Sequence, residues 1–261
     1  MIGAVQANLF GVPTVAALFV DGEGLYSRRF EVDAWDEARD ARRYTGSAPV
    51  VAHPPCSRWG KLAKLVQARW GYQVGEDGGC FESALASVRR CGGVLEHPAW
   101  TMAWERFGLR KPRRGEWLES APGEWVTEVN QAAYGHPATK RTWLLYCGKS
   151  APPPLDWSNT IGGMVVGHCK RNGDGSVWRD NARRIGKKPA SATPPDFLDA
   201  LVALALHSTK PPPPADWWAH ALPDYAAKGG FEPILIDPPE EDPPGLERVT
   251  HAEVVALRGA P

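Results

Sequence analysis

The chain has 261 residues with thirty basic and thirty acidic side chains, so its formal net charge is zero. This balance excludes a polybasic protein that binds nucleic acid through its overall charge and leaves only local clusters of Lys and Arg for that purpose. Hydrophobic residues make up 43% of the chain, which is enough for the core of one large α/β domain.

The patterns of strands and helices alternate along the chain. Thr14–Val20 predicts a buried strand that ends at the turn "DGEG", and the charged "DAWDEARDARRY" predicts a short helix or loop. "APVVAHPP" predicts a second strand, and "GEDGGCFESALASVRRCGG" predicts a helix that ends at its glycines. "GVLEHP" and residues 141–148 predict further strands, and "TPPDFLDALVALALHS" predicts a helix with Thr193 as its N-cap.

This alternation predicts an α/β fold with a mostly parallel, Rossmann-like sheet and helices on both faces. Ligands of such sheets bind beyond the carboxyl ends of the strands, where Cys56 and Glu96 fall. We expect residues 1–209 to form this domain. Residues 210–261 are rich in proline and acidic residues and predict a linker and tail.

The cysteines and the N-terminal segment indicate a cellular compartment. An odd number of scattered cysteines favours the reducing cytoplasm and gives no zinc-like spacing, so no metal site is predicted: Cys56, Cys80, Cys91, Cys147 and Cys169. The apolar run "VPTVAALFV" is too short to span a bilayer and follows no basic region. We therefore predict no membrane partner.

Cys56 follows two prolines in "VVAHPPCSRWGKLAK". Consecutive prolines fix the backbone, so the loop would position the thiol rather than merely bury it. The basic groups of Arg58 and Lys61 would favour the thiolate, which is the nucleophilic form of cysteine. The alternative is that Cys56 is a small core residue, as many free cysteines are.

Three further segments follow Cys56: "EDGG" before a helix, "LEHP" at a strand end, and "YGHPATKRTW" before a strand. Together the four segments resemble the cytosine-C5 DNA methyltransferase family, especially its compact bacteriophage members. The resemblance covers residues 45–148 and, more loosely, 183–205. In that family a Pro-Cys loop supplies the nucleophile, which matches Cys56, and an Asp-x-x-Gly opens the next helix, which Asp77 and Gly79 resemble. A Leu-Glu-Asn strand end holds the base, which matches Glu96. A Tyr-Gly-x-Pro-Gln-x-Arg-x-Arg segment precedes a strand, and its matching residues are Tyr134, Gly135, Pro137 and Lys140.

The resemblance implies an enzyme that modifies C5 of cytosine in DNA. Cys56 would add to C6 of the base, Glu96 would bind N3, and Lys140 or Arg141 would contact O2 or a phosphate. The substrate-binding residues implied are Pro55, Ser57, Arg58, His97 and Tyr134. Taken singly, each segment has an ordinary alternative: a turn for "EDGG", a capping or solvated carboxylate for Glu96, and a solvated pair for Lys140 and Arg141.

The family's methyl donor is S-adenosylmethionine, and here the sequence departs from the family. Only "DGEG" follows the first strand, and no glycine-rich loop opens a helix there. The candidate donor-binding residues are Asp21, Asp33, Asp36 and Asp77. His97, Ala138 and Thr142 also stand where the family has asparagine, glutamine and arginine.

Residues 149–190 form a short basic insert where the family has its target-recognition region. The candidate phosphate contacts there are Lys170, Arg171, Arg179, Arg183, Arg184, Lys187 and Lys188. A solvated loop is the alternative. The resemblance thus implies duplex or single-stranded DNA as the partner, in the host cytoplasm if a phage encodes the protein.

Three hypotheses remain open at this point. The first is a cytosine-C5 methyltransferase-like enzyme with a covalent intermediate on Cys56. The second keeps the cysteine chemistry but acts on a pyrimidine base or nucleotide with another donor. The third is a protein with the same fold that only binds DNA.

Overall fold

The computed structural model describes residues 14–60, 63–166 and 183–209. The predicted tail, residues 210–261, lies outside these ranges. The strands are β1 (Val15–Leu18), β2 (Val32–Trp35), β3 (Val50–Ala52), β4 (Gly93–Pro98), β5 (Leu118–Ala121), β6 (Glu124–Asn130), β7 (Arg141–Cys147), β8 (Val165–Val166) and β9 (Arg184–Ile185). The helices are α1 (Ala63–Trp70), α2 (Cys80–Cys91), α3 (Met102–Arg106), α4 (Lys187–Ser191) and α5 (Pro195–Ser208).

Seven of these strands form one sheet in the order β2-β1-β3-β4-β7-β6-β5. The predicted α/β class is confirmed. The mostly parallel, Rossmann-like arrangement is not confirmed, because the sheet is mixed and, of its pairings, only those among β2, β1, β3 and β4 are parallel. β7 is antiparallel to both β4 and β6, and β5 is antiparallel to β6. The connections β5–β6 and β6–β7 carry no crossover helix, and such short links join antiparallel neighbours.

The sheet buries a hydrophobic cluster on each face. On one face, Phe81 and Val88 of α2 pack with alternate residues of the central strands, among them Leu95. On the other face, Phe197 and Leu201 of α5 pack with the intervening residues. Because successive strand residues point to opposite faces, each buried strand contributes to both clusters.

Two local predictions need correction. "DAWDEARDARRY" does not begin as a helix or loop, since its first three residues complete β2, which pairs with β1 through Val15 and Val32. The N-cap of α5 is Pro194 without a side-chain hydrogen bond, not Thr193. Pro195 then occupies the first turn, where a missing backbone N–H costs nothing.

The order of the parallel strands positions a ligand site. β1 lies between β2 and β3, so the connections after β1 and β3 leave the sheet in opposite directions and open a crevice at its carboxyl edge. The carboxyl ends of β1, β3 and β4 all meet at this edge. In the part of the chain that the structure describes, no helix has the length and apolar character needed to cross a membrane.

Candidate active site

A cavity of about 1340 Å³ opens at the carboxyl edge of β1, β3 and β4. This volume exceeds the roughly 300–1,000 Å³ of most small-molecule sites. Its wall contains Pro55 and six polar residues predicted from the sequence: Asp21, Cys56, Glu96, Lys140, Arg141 and Arg184. Tyr26 and His53, which were not predicted, also line it. Residues 190–193, at the end of α4 and just after it, close another side.

Cys56 lies in the loop after β3, where its carbonyl oxygen accepts hydrogen bonds from the N–H groups of Trp59 and Gly60, each at 3.0 Å. The residue is exposed and its side chain lines the cavity. Loss of hydration around the sulfur and the charge of Glu96 raise the pKa of the Cys56 thiol, and Lys140 opposes them only partly. At neutral pH the side chain is therefore a thiol that must lose its proton before it can attack.

The predicted activation of Cys56 by its basic neighbours does not match the structure. The guanidinium of Arg58 lies over the ring of Tyr72, 3.8 Å from its centre, and not in the cavity wall. Lys61 lies outside the described residues, and Ser57 is exposed outside the cavity wall. Of the substrate-binding residues predicted in this loop, only Pro55 lines the cavity with Cys56.

Glu96 is buried in β4 and points toward the cavity. Its Oε2 pairs with Nδ1 of His53 at 2.9 Å, and its Oε1 accepts a hydrogen bond from Nε2 of Gln131 at 3.2 Å. Burial raises the pKa of Glu96, but the hydrogen bond with His53 and the nearby positive charges outweigh burial and lower the pKa to about 2. Glu96 is thus neither a helix cap nor a solvated group, but a buried carboxylate with dedicated partners.

His53, Tyr26 and Gln131 were not among the predicted site residues. The Nε2 atom of His53 and the hydroxyl of Tyr26 share a hydrogen bond of 2.8 Å. Gln131 also donates to the hydroxyl of Thr142 at 2.9 Å, which fixes its amide. The position of His53 directly before two prolines was the available signal, since such a residue is held extended and its side chain has a defined direction.

Lys140 and Arg141 both line the cavity but differ in their surroundings. The ammonium of Lys140 lies 3.5 and 3.4 Å from the carbonyl oxygens of Ser191 and Ala192, which are long contacts. Arg141 forms an ion pair with Glu128, and its guanidinium lies 4.1 Å from the centre of the Trp100 ring. Lys140 is therefore the better placed of the two to contact a substrate.

His97 and Tyr134 do not reach the cavity wall. His97 follows Glu96 in β4, so it points to the opposite face, where Phe81 and Trp104 surround it. Its burial lowers the pKa of its imidazole to about 4. Tyr134 packs against Phe197, and its hydroxyl accepts a hydrogen bond from the backbone N–H of Asp156.

The four predicted donor-binding carboxylates lie in different surroundings. Asp21 lines the cavity. Asp36 lies directly after β2 and packs against Gly22, where an added β-carbon would be 2.4 Å from the Oδ2 atom of Asp36. Asp33 instead forms a 2.6 Å ion pair with Arg39. Asp77 accepts hydrogen bonds from the indole N–H of Trp59 and the backbone N–H of Phe81, so it holds the start of α2.

The basic insert is described only in part. Arg184 lines the cavity and Arg183 is exposed beside it. Lys170, Arg171 and Arg179 lie outside the described residues, as do the side chains of Lys187 and Lys188. Within the described ranges, no group of three or more His, Cys, Asp or Glu side chains could hold a metal ion.

Comparisons with protein-family models, curated proteins and solved structures found no match to this chain. The geometry of the cavity is therefore the basis for a functional proposal.

Proposed function

We propose that this protein is an enzyme that modifies C5 of a pyrimidine, with cytosine in DNA as the first candidate, through a covalent bond between Cys56 and C6. One observation carries the proposal. Cys56 and Glu96 line the same cavity from the ends of the neighbouring parallel strands β3 and β4. Because β3 and β4 are adjacent, Cys56 and Glu96 could contact C6 and N3 of the same pyrimidine ring.

The chemistry needs both groups. C5 of a pyrimidine is a weak nucleophile until a thiolate adds at C6 and pushes electrons toward N3, and this covalent step divides one high barrier into two lower ones. Glu96 would hold N3 and the proton that N3 gains. The ammonium of Lys140 would offset negative charge that develops at O2. C5 then attacks an electrophile, loses its hydrogen, and releases Cys56.

The surface beside the Cys56 loop supports a nucleic acid as the substrate. Trp70 at the end of α1 is 57% exposed and Tyr72 is 50% exposed, and each carries an arginine guanidinium over its ring. Exposed aromatic rings with arginines are typical of surfaces that stack unpaired bases. Arg184 in the cavity wall adds a group suited to phosphate. A base must leave the helical stack to enter such a cavity.

S-adenosylmethionine is the donor that we propose, and it would supply an electrophilic methyl group. Asp21 in the wall and Asp36 at the end of β2 suit its ribose hydroxyls and cationic parts, and Phe19 and Leu25 offer apolar surface. Phe19 has a φ of 61°, a strained value for a residue with a side chain, where β1 turns into the wall.

One observation favours a different donor. Between β1 and β2, within residues 14–60, the chain forms a 3-10 turn at Tyr26–Arg28 and no α-helix. The helix N-terminus that commonly holds a nucleotide cofactor in such sheets is therefore missing from this connection. A pyrimidine-modifying enzyme with another donor is the second candidate function.

Calorimetry separates the two donors. We expect S-adenosylmethionine to bind the full chain and to bind Asp21→Asn about tenfold more weakly, since Asp21 lines the cavity and a carboxylate hydrogen bond of this kind contributes about 1.5 kcal/mol. Asp33→Asn is the matched control, because Asp33 is engaged with Arg39. Absence of any heat with the unaltered protein would remove this donor and leave the covalent step intact.

A donor-free assay tests the covalent step itself. Addition of Cys56 at C6 makes C5 basic, so C5 exchanges its hydrogen with solvent even when no donor is present. We expect cytosine in a single-stranded oligonucleotide to take up deuterium at C5 in D₂O, as measured by mass spectrometry of the nucleosides. Uracil, duplex DNA and free nucleotides are tested in parallel. No exchange in any of these pyrimidines would overturn the proposed function.

A further inference from the structure

Three side chains from separate parts of the sheet edge form one hydrogen-bonded chain beside Cys56. The hydroxyl of Tyr26, after β1, is 2.8 Å from Nε2 of His53, after β3, and Nδ1 of His53 is 2.9 Å from Oε2 of Glu96 in β4. The His53 and Glu96 side chains are only 13% and 10% exposed. All three line the cavity, so the chain ends at the place where a bound base would lie.

The protonation states along this chain follow from its partners. Because the pKa of Glu96 is lowered to about 2, its carboxylate accepts and the Nδ1 atom of His53 carries the hydrogen between them. Burial and the charge of Glu96 raise the pKa of Tyr26, so its hydroxyl keeps its proton. The Tyr26 oxygen can accept a hydrogen bond from Nε2 as well as donate one. The contact between Nε2 and Tyr26 is therefore satisfied whether or not Nε2 carries a hydrogen.

The proposed reaction needs a group of this kind. N3 must gain a proton as the bond between Sγ and C6 forms, yet a carboxyl group with a pKa of about 2 is almost never protonated at neutral pH. Histidine is the side chain that ordinarily gains and loses a proton between pH 5 and 8. Here it lies one hydrogen bond behind the carboxylate.

We propose that His53 is the proton store of the site and supplies the N3 proton through Glu96. This inference rests on the proposed function. As the Cys56 thiolate adds to C6, the Nδ1 proton passes to the Glu96 carboxylate and on to N3, so Glu96 ends as a carboxylate again, while the ring π electrons shift toward N3. His53 is left neutral with its remaining hydrogen on Nε2, bonded to Tyr26. The thiol proton of the exposed Cys56 has gone to solvent, and both transfers reverse when Cys56 leaves.

Other titratable and charged groups near His53 could also affect how the exchange rate depends on pH. Those in the same cavity wall are Asp21, Tyr26, Cys56, Glu96, Lys140, Arg141 and Arg184. His97 lies next to Glu96 in β4 but on the opposite face of the sheet. Of the histidines in the described chain, His53 is the one with a place in the wall.

The rate of C5 deuterium exchange as a function of pH tests the store. In the unaltered protein the rate should rise with pH as more Cys56 thiolate forms, and the rise should stop before the raised pKa of Cys56, because the reaction also needs a bound proton for N3. A rate that simply follows the thiolate up to the raised pKa of Cys56 would overturn the proposal, as would a rate that is flat throughout. This measurement needs no variant.

Two variants sharpen the test. In His53→Gln the rate should fall about 100-fold and lose its rise with pH, because no group behind Glu96 can resupply a proton, even though loss of the His53 hydrogen bond raises the pKa of Glu96. In His53→Ala, added imidazole should restore part of the rate. His207→Gln, which alters a histidine outside the cavity bonded to Ser150, should leave rate and profile unchanged.

The outcomes separate the two proposals. If exchange occurs but His53→Gln keeps the unaltered profile at a reduced rate, His53 only positions Glu96, and the store is refuted while the covalent step stands. If no pyrimidine exchanges in the unaltered protein, the proposed function itself fails.

Discussion

Replacing Cys56 with alanine is expected to abolish deuterium exchange at C5, lowering the rate by a factor of about 10³ or more, to that of the free base. The reason is chemical, because no other side chain in the cavity wall is a comparable nucleophile for C6 within the described residues. Exchange is measured in D₂O without donor, so the result does not depend on the identity of the proposed donor.

The fold should tolerate this change. Cys56 is exposed, and the hydrogen bonds of its loop use its carbonyl oxygen, which alanine retains. Cys80→Ala is the matched control, since Cys80 begins α2 and lies outside the cavity wall. We expect the control to exchange at the unaltered rate and both variants to unfold at the same temperature as the parent. Full exchange by Cys56→Ala would show that the cysteine is not the nucleophile.

Two of the main site residues could be placed from the sequence. Cys56 and Glu96 each follow a short apolar run, and the carboxyl ends of neighbouring parallel strands meet at one edge. Local patterns and one rule of topology are sufficient for this prediction. In the structure both residues line one cavity.

The partners of those residues could not be placed in the same way. Glu96 owes its low pKa to His53, 43 residues earlier, and is also bonded to Gln131, 35 residues later. Gln131 reaches it because β7 lies antiparallel between β4 and β6, and the sequence predicted neither β6 nor this order. Contacts between distant segments depend on the register of the sheet, which a local pattern does not specify.

The strand period was more informative than the family motif at one position. The motif predicts that His97 binds substrate together with Glu96. In a strand, however, neighbouring residues point to opposite faces of the sheet, so His97 and Glu96 of β4 cannot face the same cavity. In the structure His97 lies in the aromatic cluster of the opposite face, against Phe81 and Trp104. A motif aligned by residue type carries no statement about which face a side chain occupies.

The second large effect concerns the register that brings Cys56 and Glu96 together. Gly93→Ala is expected to prevent stable folding, with a loss above about 4 kcal/mol against the 5–15 kcal/mol of a typical domain. Gly93 begins β4 with a φ of 125° and pairs with Val50 of β3. A β-carbon there would lie 2.0 Å from the carbonyl oxygen and 2.6 Å from the nitrogen of Val50. These are backbone atoms, which cannot rotate away as a side chain can.

Relief of the clash would have to move β4 away from β3, and that would separate Glu96 from His53 and Cys56. Gly115→Ala is the matched control, because Gly115 has a φ of 91° and nothing within 4 Å of the added carbon. It bears the left-handed backbone penalty alone, about 1–2 kcal/mol. Urea unfolding of both variants measures the difference. Equal midpoints would show that β3 and β4 can shift at no cost, so the close pairing of Gly93 with Val50 would not be what holds Cys56 and Glu96 in register.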